Sequence, residues 1–507
     1  MYQAFSAARR AALLSSLLAF SVAGCAVGPD FKPPAPPAAD AYVAGELPPR
    51  TASTPVTGGE AQEFQPGADL PGQWWTLFGS HTLEELIHEA LAQYPDLAAQ
   101  QAALRAAREN VRAGQGAYFP QFQGTANGER EQVSGASIAP GFPGFIANIF
   151  QAGVNVSYTF DLFGGQRRTV EGLQAQAMEQ DFRLEASYLT LTTNLAATTI
   201  QLASLHDQID ATREIVTLEE KLLTTVERQF ALGSQPRSAV LQQRAALAAT
   251  RATLPALQQQ LAVADHQLAV LTGQFPRDAH PATFSLTDFT LPAKLPVSLP
   301  AALVAQRPDV RAQEMRLRAA NAAIGVATAN MLPQLTLTGT FGDESLVFGT
   351  LLQPGSSTWN LGAGLTQPLF EGGTLRARRR SAVALRDQAE AQYRLVVLQA
   401  FQNVADTLTA LDNDARALGA QNDSLDAARA SLDLVQRQYA SGAANFVAVL
   451  LAQQAYQQAR IASVSATAAR YTDTITLFQA LGGGWWNRQD AGTLRVAAET
   501  PRSGVAR

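Results

Sequence analysis

The 507-residue chain carries one design twice. Pro95-Asp96 recurs as Pro308-Asp309, Leu104-Arg105-Ala106-Ala107 as Leu317-Arg318-Ala319-Ala320, and Pro120-Gln121 as Pro333-Gln334. Further on, Leu162-Phe163 returns as Leu369-Phe370, and Arg228-Gln229-Phe230-Ala231-Leu232-Gly233 as Arg437-Gln438-Tyr439-Ala440-Ser441-Gly442. Order and offset are kept throughout, so the copies, residues 80–272 and 299–481, are two uses of one supersecondary unit rather than two unrelated domains. A Pro-containing segment, 273–298, separates them.

Within each copy the hydrophobic period changes. A 3.6-residue period predicts helices over about 82–117, 172–232 and 235–272, and again over 299–331, 375–440 and 444–481. Period-two alternation predicts strands between them. Val154, Val156, Tyr158, Phe160 and Leu162 alternate with polar residues, as do Leu335, Leu337 and Phe341, and weaker alternation covers 121–127 and 359–369. Loops rich in Gly, Pro and Ser at 134–144 and 348–357 join the strands of each pair. A 60-residue helix would be about 90 Å long. Leu254, Leu257, Leu261, Ala264, Leu268 and Leu271 form a heptad-like seam, as do Leu425, Ala428, Leu432, Val435 and Tyr439, so neighbouring helices should pack as coiled coils. Pro255 lies in the first seam and predicts a kink or break. Gly233 and Gly442 mark the tips of two helical hairpins. With about 90 alanines and 16% charged residues, the helices can approach closely.

The N-terminus reads as a secretory signal over 1–24: Arg9 and Arg10, an apolar run from Ala11 to Phe20, then small residues up to Cys25. The run is too short to span a bilayer. Val22-Ala23-Gly24-Cys25 resembles a bacterial lipobox, which implies N-palmitoyl and S-diacylglycerol chains on Cys25, the only cysteine. A buried structural cysteine is the plainer alternative. Ala26 in place of aspartate implies outer-membrane sorting, and loss of Arg9 and Arg10 takes the net charge from -5 to -7. That charge disfavours a nucleic-acid partner. Residues 25–79 are expected to be a Pro-rich tether leading into the body, and 482–507 a C-terminal tail.

Four amphipathic strands cannot close a membrane barrel, which needs about eight, and an open sheet edge cannot sit in lipid. Either the strands form a soluble sheet laid on the helices, or several chains pool them. Two, three or four copies would supply 8, 12 or 16 strands.

The segments GCAVGPDFKPP (24–34), WWTLFGSHTLEELIHEAL (74–91), LTQPLFEGG (365–373) and LFQALGGGW (477–485), with the two hairpin tips, resemble the TolC-like outer-membrane factor family, in its lipoprotein (NodT-type) branch found with RND efflux pumps. The resemblance runs over about 24–486. It implies a mainly α fold with membrane β: a long antiparallel coiled-coil α-barrel plus four transmembrane strands per chain, closing a twelve-stranded barrel in a homotrimer. It further implies a passive conduit in the outer membrane, fed by an inner-membrane RND-type transporter through a periplasmic adaptor that contacts the tips at Gly233 and Gly442. The exit duct of a type I secretion system shares this architecture. A lipid-anchored coiled-coil adaptor, the alternative from another class, would have one hairpin rather than two.

Family members commonly carry aspartates at the tips, whereas Ala239, Ala444, Ala448 and Leu451 stand there in this chain. Phe446 and Leu451 would then form an apolar periplasmic constriction, or else ordinary coiled-coil packing, and intrinsic cation selectivity should be weak. Other chemistry is not encoded. His81, His88, His206, His266 and His280 make no HExxH or paired metal spacing, and no Walker A or GxSxG motif occurs. No cofactor and no enzymatic activity are expected. Arg376, Arg378, Arg379 and Arg380 form a dense basic run after the last strand, read as a solvated rim or a contact for lipid phosphate or anionic substrate.

Overall fold

A computed structural model describes residues 26–45, 48–137, 139–141, 143–278 and 283–488. The chain forms two compact units. One comprises the chain up to Pro34, Arg105–Glu179 and Gln313–Tyr393; the other comprises Ala35–Leu104, Gln180–Ala312 and the chain from Arg394 onward.

The repeat is reproduced residue for residue in its long helices. In order, the elements of the first copy are α1 (His81–Gln93), α2 (Pro95–Gln115), strands β2 (Gln121–Val133) and β3 (Phe145–Phe160), α3 (Gly165–Ala231) and α4 (Arg237–Leu271), preceded by the short strand β1 (Glu63–Pro66). After β4 (Lys294–Val297), the second copy has α5 (Pro300–Gln306), α6 (Pro308–Ala329), β5 (Gln334–Ser345), β6 (Ser357–Thr366), α7 (Thr374–Ala440) and α8 (Phe446–Ala480). The two long helices of each copy are 67 and 35 residues.

Each expected leading helix is broken once. Tyr94 and Arg307, which precede Pro95 and Pro308, are extended with ψ of 119° and 122°. A residue before proline is excluded from the α region by its ring, so the helix stops and restarts with proline as its first residue. Pro255, by contrast, breaks nothing, because α4 runs through it unbroken. Its own side chain is exposed, while the seam it interrupts is held: Leu254, Leu257 and Leu261 are half-buried and Ala264, Leu268 and Leu271 fully buried. Packing along the seam outweighs the loss of one backbone bond.

In the first unit β2, β3, β5 and β6 form one antiparallel sheet in that order. Both pairs are joined by the Gly-rich loops as expected. Three strands extend further outward than the alternation indicated, to Val133, back to Phe145, and to Ser345. β6 is shorter, ending at Thr366 before Pro368, which cannot donate to a ladder.

The expected tether is instead integrated into both units. Val27 N–H donates to the Phe163 carbonyl at 2.9 Å, Asn321 Nδ2 to that of Pro29 at 2.8 Å, and a Cβ on Gly28 would lie 2.5 Å from Gly325 Cα. Arg168, 7% exposed, pairs with Asp30 at 2.6 Å and Glu171 at 2.7 Å. In the second unit β1 pairs in parallel with β4. There the buried Gln62 donates to Pro292 O and Thr474 Oγ1 and accepts from the buried Arg470, each at 3.0 Å. Proline-rich composition hid these contacts because they are made by backbone and single polar side chains, which have no period.

The core of the second unit is aromatic. Trp74, Trp75, Phe78, Tyr471 and Phe478 are all at most 1% exposed and meet edge to face or tilted. Residues 482–488, expected in a tail, belong to this unit too: Arg488 is buried against Glu185 at 2.6 Å and over the Tyr188 ring at 3.8 Å.

Candidate channel-forming surfaces

The register divides the four-stranded sheet into two chemically distinct faces. Phe122, Val156, Gly339 and Leu361 lie side by side across all four strands, and next to them Gly124, Val154, Phe341 and Trp359. The other face aligns Gln121, Ser157, Thr338 and Gly362, then Gln123, Asn155, Thr340 and Asn360. Side-chain hydrogen bonds tie this polar face across strands: Gln151 to Glu344 at 2.9 Å, Asn155 to Thr125 at 3.3 Å and Thr159 with Thr336 at 3.1 Å.

No residue of the four strands is buried. On the apolar face Phe122 is 72% exposed, Phe341 67%, Trp359 74% and Leu361 77%. A soluble sheet resting on the helices would hide that face, so the soluble alternative is excluded. An uncovered belt of large apolar side chains backed by a polar face has the chemistry of a barrel wall between lipid and water. The outer edges of β2 and β6 have no strand partner among the described residues. No helix among those residues is long and apolar enough to cross a membrane.

The model of the outer membrane efflux protein family matches residues 86–274 and 299–483, one match on each copy of the repeat. The chain belongs to the outer membrane efflux protein family. It is 30% identical over 421 residues to the pyoverdine export outer membrane protein OpmQ of Pseudomonas aeruginosa, a match covering 82% of this chain and 87% of that protein. With the toluene efflux pump outer membrane protein TtgC of Pseudomonas putida it shares 28% identity over 503 residues, 96% of this chain and 98% of the other. Among solved structures, the outer-membrane channel OprN superposes with a TM-score of 0.80 at 26% identity, over 91% of this chain and all of that one. The protein is thus an outer-membrane efflux channel component, and its sheet is the part that meets lipid.

The hairpin tips of this efflux protein have the same geometry in both copies. Gly233 and Gly442 have φ of 75° and 81°. Gly233 N–H bonds Phe230 O and Ser234 N–H bonds Gln229 O, both at 2.9 Å; Gly442 and Ala443 repeat the pattern on Tyr439 and Gln438 at 3.0 and 2.8 Å. This is the Schellman arrangement, in which a left-handed residue closes the helix by capping its last carbonyls. A Cβ at either glycine would meet nothing within 4 Å, so backbone conformation, not space, requires glycine there. Asn445 caps α8 by accepting from Ala448 N–H at 2.9 Å.

Around the tips the two copies interlock. Phe446, 5% exposed, is buried with Val226, Ala239 and Val240, and its ring lies 6.0 Å from that of Tyr439. Tyr439 Oη donates to Gln229 Oε1 at 2.5 Å. Phe446 therefore sits in the packing of the hairpins, whereas Leu451 is 61% exposed; the structure does not bring the two onto one surface. Sequence reasoning missed Glu219, buried about four helical turns before the tip, because a lone Glu on a long helix has no distinguishing pattern. It accepts from Thr250 Oγ1 at 3.0 Å, and burial raises its pKa. Cys25 lies outside the described residues, as does His280.

Proposed function

We propose that three copies of this chain close a twelve-stranded barrel in the outer membrane and continue it as a helical duct, through which a periplasmic adaptor and an inner-membrane RND-type transporter pass small molecules. The observation that supports this most is the four-stranded, two-faced sheet with an open edge on each side. Each unpaired backbone group facing lipid would cost several kcal/mol, so β6 of one copy must pair with β2 of the next. Three fourfold contributions give an even, antiparallel ring.

The duct itself is passive in this reading, the work being done by the transporter. The adaptor docks on the exposed tips at Gly233 and Gly442, whose twin Schellman turns offer six near-equivalent turns in the trimer. Leu451 is an exposed apolar residue that narrows the entrance, with Phe446 fixing the hairpin behind it. N-palmitoyl and S-diacylglycerol groups on Cys25 add a permanent anchor. The docking of Val27 and Gly28 against Phe163 and Gly325 supports that role, since it starts the chain beside the end of β3.

Deletion of the gene should sensitise cells to compounds that the intact gene, but not a variant lacking Cys25, fully restores resistance to. Affinity purification from cross-linked cells should recover an adaptor. Unchanged susceptibility to drugs, solvents and metals, with no adaptor recovered, contradicts the proposal.

A further inference from the structure

The two copies of the repeat differ in charge at the point where strand gives way to long helix. In the first copy, every arginine at this junction has a carboxylate. Asp161 caps α3 by accepting from Gln166 and Arg167 N–H at 3.0 and 2.9 Å, and also faces the Arg167 side chain at 3.4 Å. Arg168 is held by Asp30 and Glu171, and Glu171 also draws Arg318 of the second copy's α6 to 3.7 Å.

In the second copy, Arg376, Arg378, Arg379 and Arg380 occupy the first two turns of α7, and all four are exposed. No carboxylate among the described residues pairs with any of them. No acidic residue lies in the helix's first turn, and none occurs between Glu371 and Asp387. At 100° per residue, Arg376, Arg379 and Arg380 share an arc of roughly 100°, where they repel one another. Cations at a helix N-terminus also oppose the helix dipole. The repulsion is small per pair at these exposed positions, and an anion from outside the chain relieves it.

The surroundings identify the anion's carrier. Directly before the run, Leu369 and Phe370 are 92% and 89% exposed, and Leu365, Leu361 and Trp359 continue the apolar face of β6. Arg378 lines a hollow of about 330 Å³ whose walls include Leu375, Leu173, Ala323 and Val326. Guanidinium groups beside an uncovered apolar surface match a molecule with a phosphate at one end and hydrocarbon at the other.

We propose that Arg376, Arg379 and Arg380 on one face of α7, with Arg378 on the adjoining face beside the hollow, form a binding surface for phosphate headgroups of anionic phospholipid in the periplasmic leaflet of the outer membrane, seating the barrel at a fixed depth. This rests on the reading of the sheet as a lipid-facing barrel wall. The lipid supplies to the second copy the negative charge that Asp30, Asp161 and Glu171 supply to the first.

The test uses the full-length protein purified in neutral detergent. Dioleoyl phosphatidylglycerol, dioleoyl phosphatidylcholine and inorganic phosphate are titrated separately, with bound lipid read by native mass spectrometry and protection read by thermal unfolding. Three variants are compared: a quadruple Arg→Gln variant at 376, 378, 379 and 380, the corresponding quadruple Arg→Lys, and R429Q/R437Q as a charge-loss control elsewhere on α7. Phosphatidylglycerol should bind the wild type in a salt-sensitive manner. At roughly fivefold per arginine, the quadruple Gln variant should bind at least about 100-fold more weakly. The Lys variant should retain most of the binding, and the control all of it.

Equal binding of phosphatidylglycerol by the Gln variant overturns the proposal. So does protection by inorganic phosphate alone, which would mark a site for free anions. Lipid-independent loss of the trimer in the Gln variant also overturns it, since a neighbouring copy would then supply the counter-charge. Pore formation in planar bilayers keeps the readings apart: wild-type protein that forms no pores contradicts the channel, whereas conducting Gln variants with undiminished lipid binding contradict only the lipid site.

Discussion

Substituting arginine for Leu361 tests which face of the sheet meets lipid. Leu361 is fifth of the ten residues of β6, opposite Gly339 and flanked on its face by Trp359 and Phe341. It is 77% exposed in the single chain. Were that exposure to water, Leu361→Arg would change stability by no more than about 0.5 kcal/mol, as surface substitutions do. In hydrocarbon near the bilayer centre the same change costs about 2–4 kcal/mol per chain, or roughly 6–12 kcal/mol per closed barrel of three. Asn360→Arg, one residue away, places an identical charge on the polar face and should cost less than about 1 kcal/mol. Guanidinium titration of protein folded into phosphatidylcholine vesicles, followed by tryptophan fluorescence, measures both. The Leu361 variant should unfold at much lower denaturant or fail to insert, while the Asn360 variant behaves as wild type. Equal midpoints for the two variants would refute the assignment of the faces.

Gly233→Val and Gly442→Val should each destabilise by about 1–2 kcal/mol from left-handed backbone strain alone, since a Cβ meets no neighbour there; thermal unfolding that shows no loss would contradict the twin Schellman turns. Arg168→Met removes the partner of Asp30 and leaves Glu171 only Arg318, and should cost about 2 kcal/mol, discounted for the exposure of Asp30. It should also open residues 26–34 to limited proteolysis, and an unchanged digestion pattern would count against the docked N-terminus. Asp473 has its pKa pushed up to about 7 by burial first and by Asp414 second, against the opposing Arg470, and burial raises Glu219 in the same direction. A carboxyl raised on folding stabilises fully below its unfolded pKa, near 4, and loses that contribution as pH rises through about 7. The free energy of unfolding should therefore fall by about 2 kcal/mol between pH 5 and 8, and Asp473→Asn should flatten the profile; an equally steep profile in the variant would refute the role of Asp473.

The repeat, the helical hairpins and the strand faces were legible in the sequence because each is periodic. Offsets between Arg228–Gly233 and Arg437–Gly442 located both tips, and alternation from Val154 to Phe160 located the lipid-facing parity. The outer half of β3 was not legible, since Phe145, Ile146, Ile149 and Phe150 put apolar groups on both parities. Nor could spacing separate the roles of Phe446 and Leu451, which depend on how two hairpins more than 200 residues apart pack together. Gln62, Arg470 and the N-terminal strap escaped for a different reason: a single buried polar contact between distant segments leaves no pattern in either. The departure at the tip, alanines in place of aspartates, was read directly and rests on residue identity alone.

The central claim, that the polar face of the sheet lines a water-filled conduit through the outer membrane, is tested most directly by single-channel current through the reconstituted full-length protein carrying Asn360→Cys or Leu361→Cys. A bulky, charged, water-soluble thiol reagent should lower the unitary conductance of the Asn360→Cys channel in up to three discrete steps and leave that of the Leu361→Cys channel unchanged. No ion-conducting steps at all, or block of the Leu361→Cys channel with the Asn360→Cys channel untouched, would contradict it.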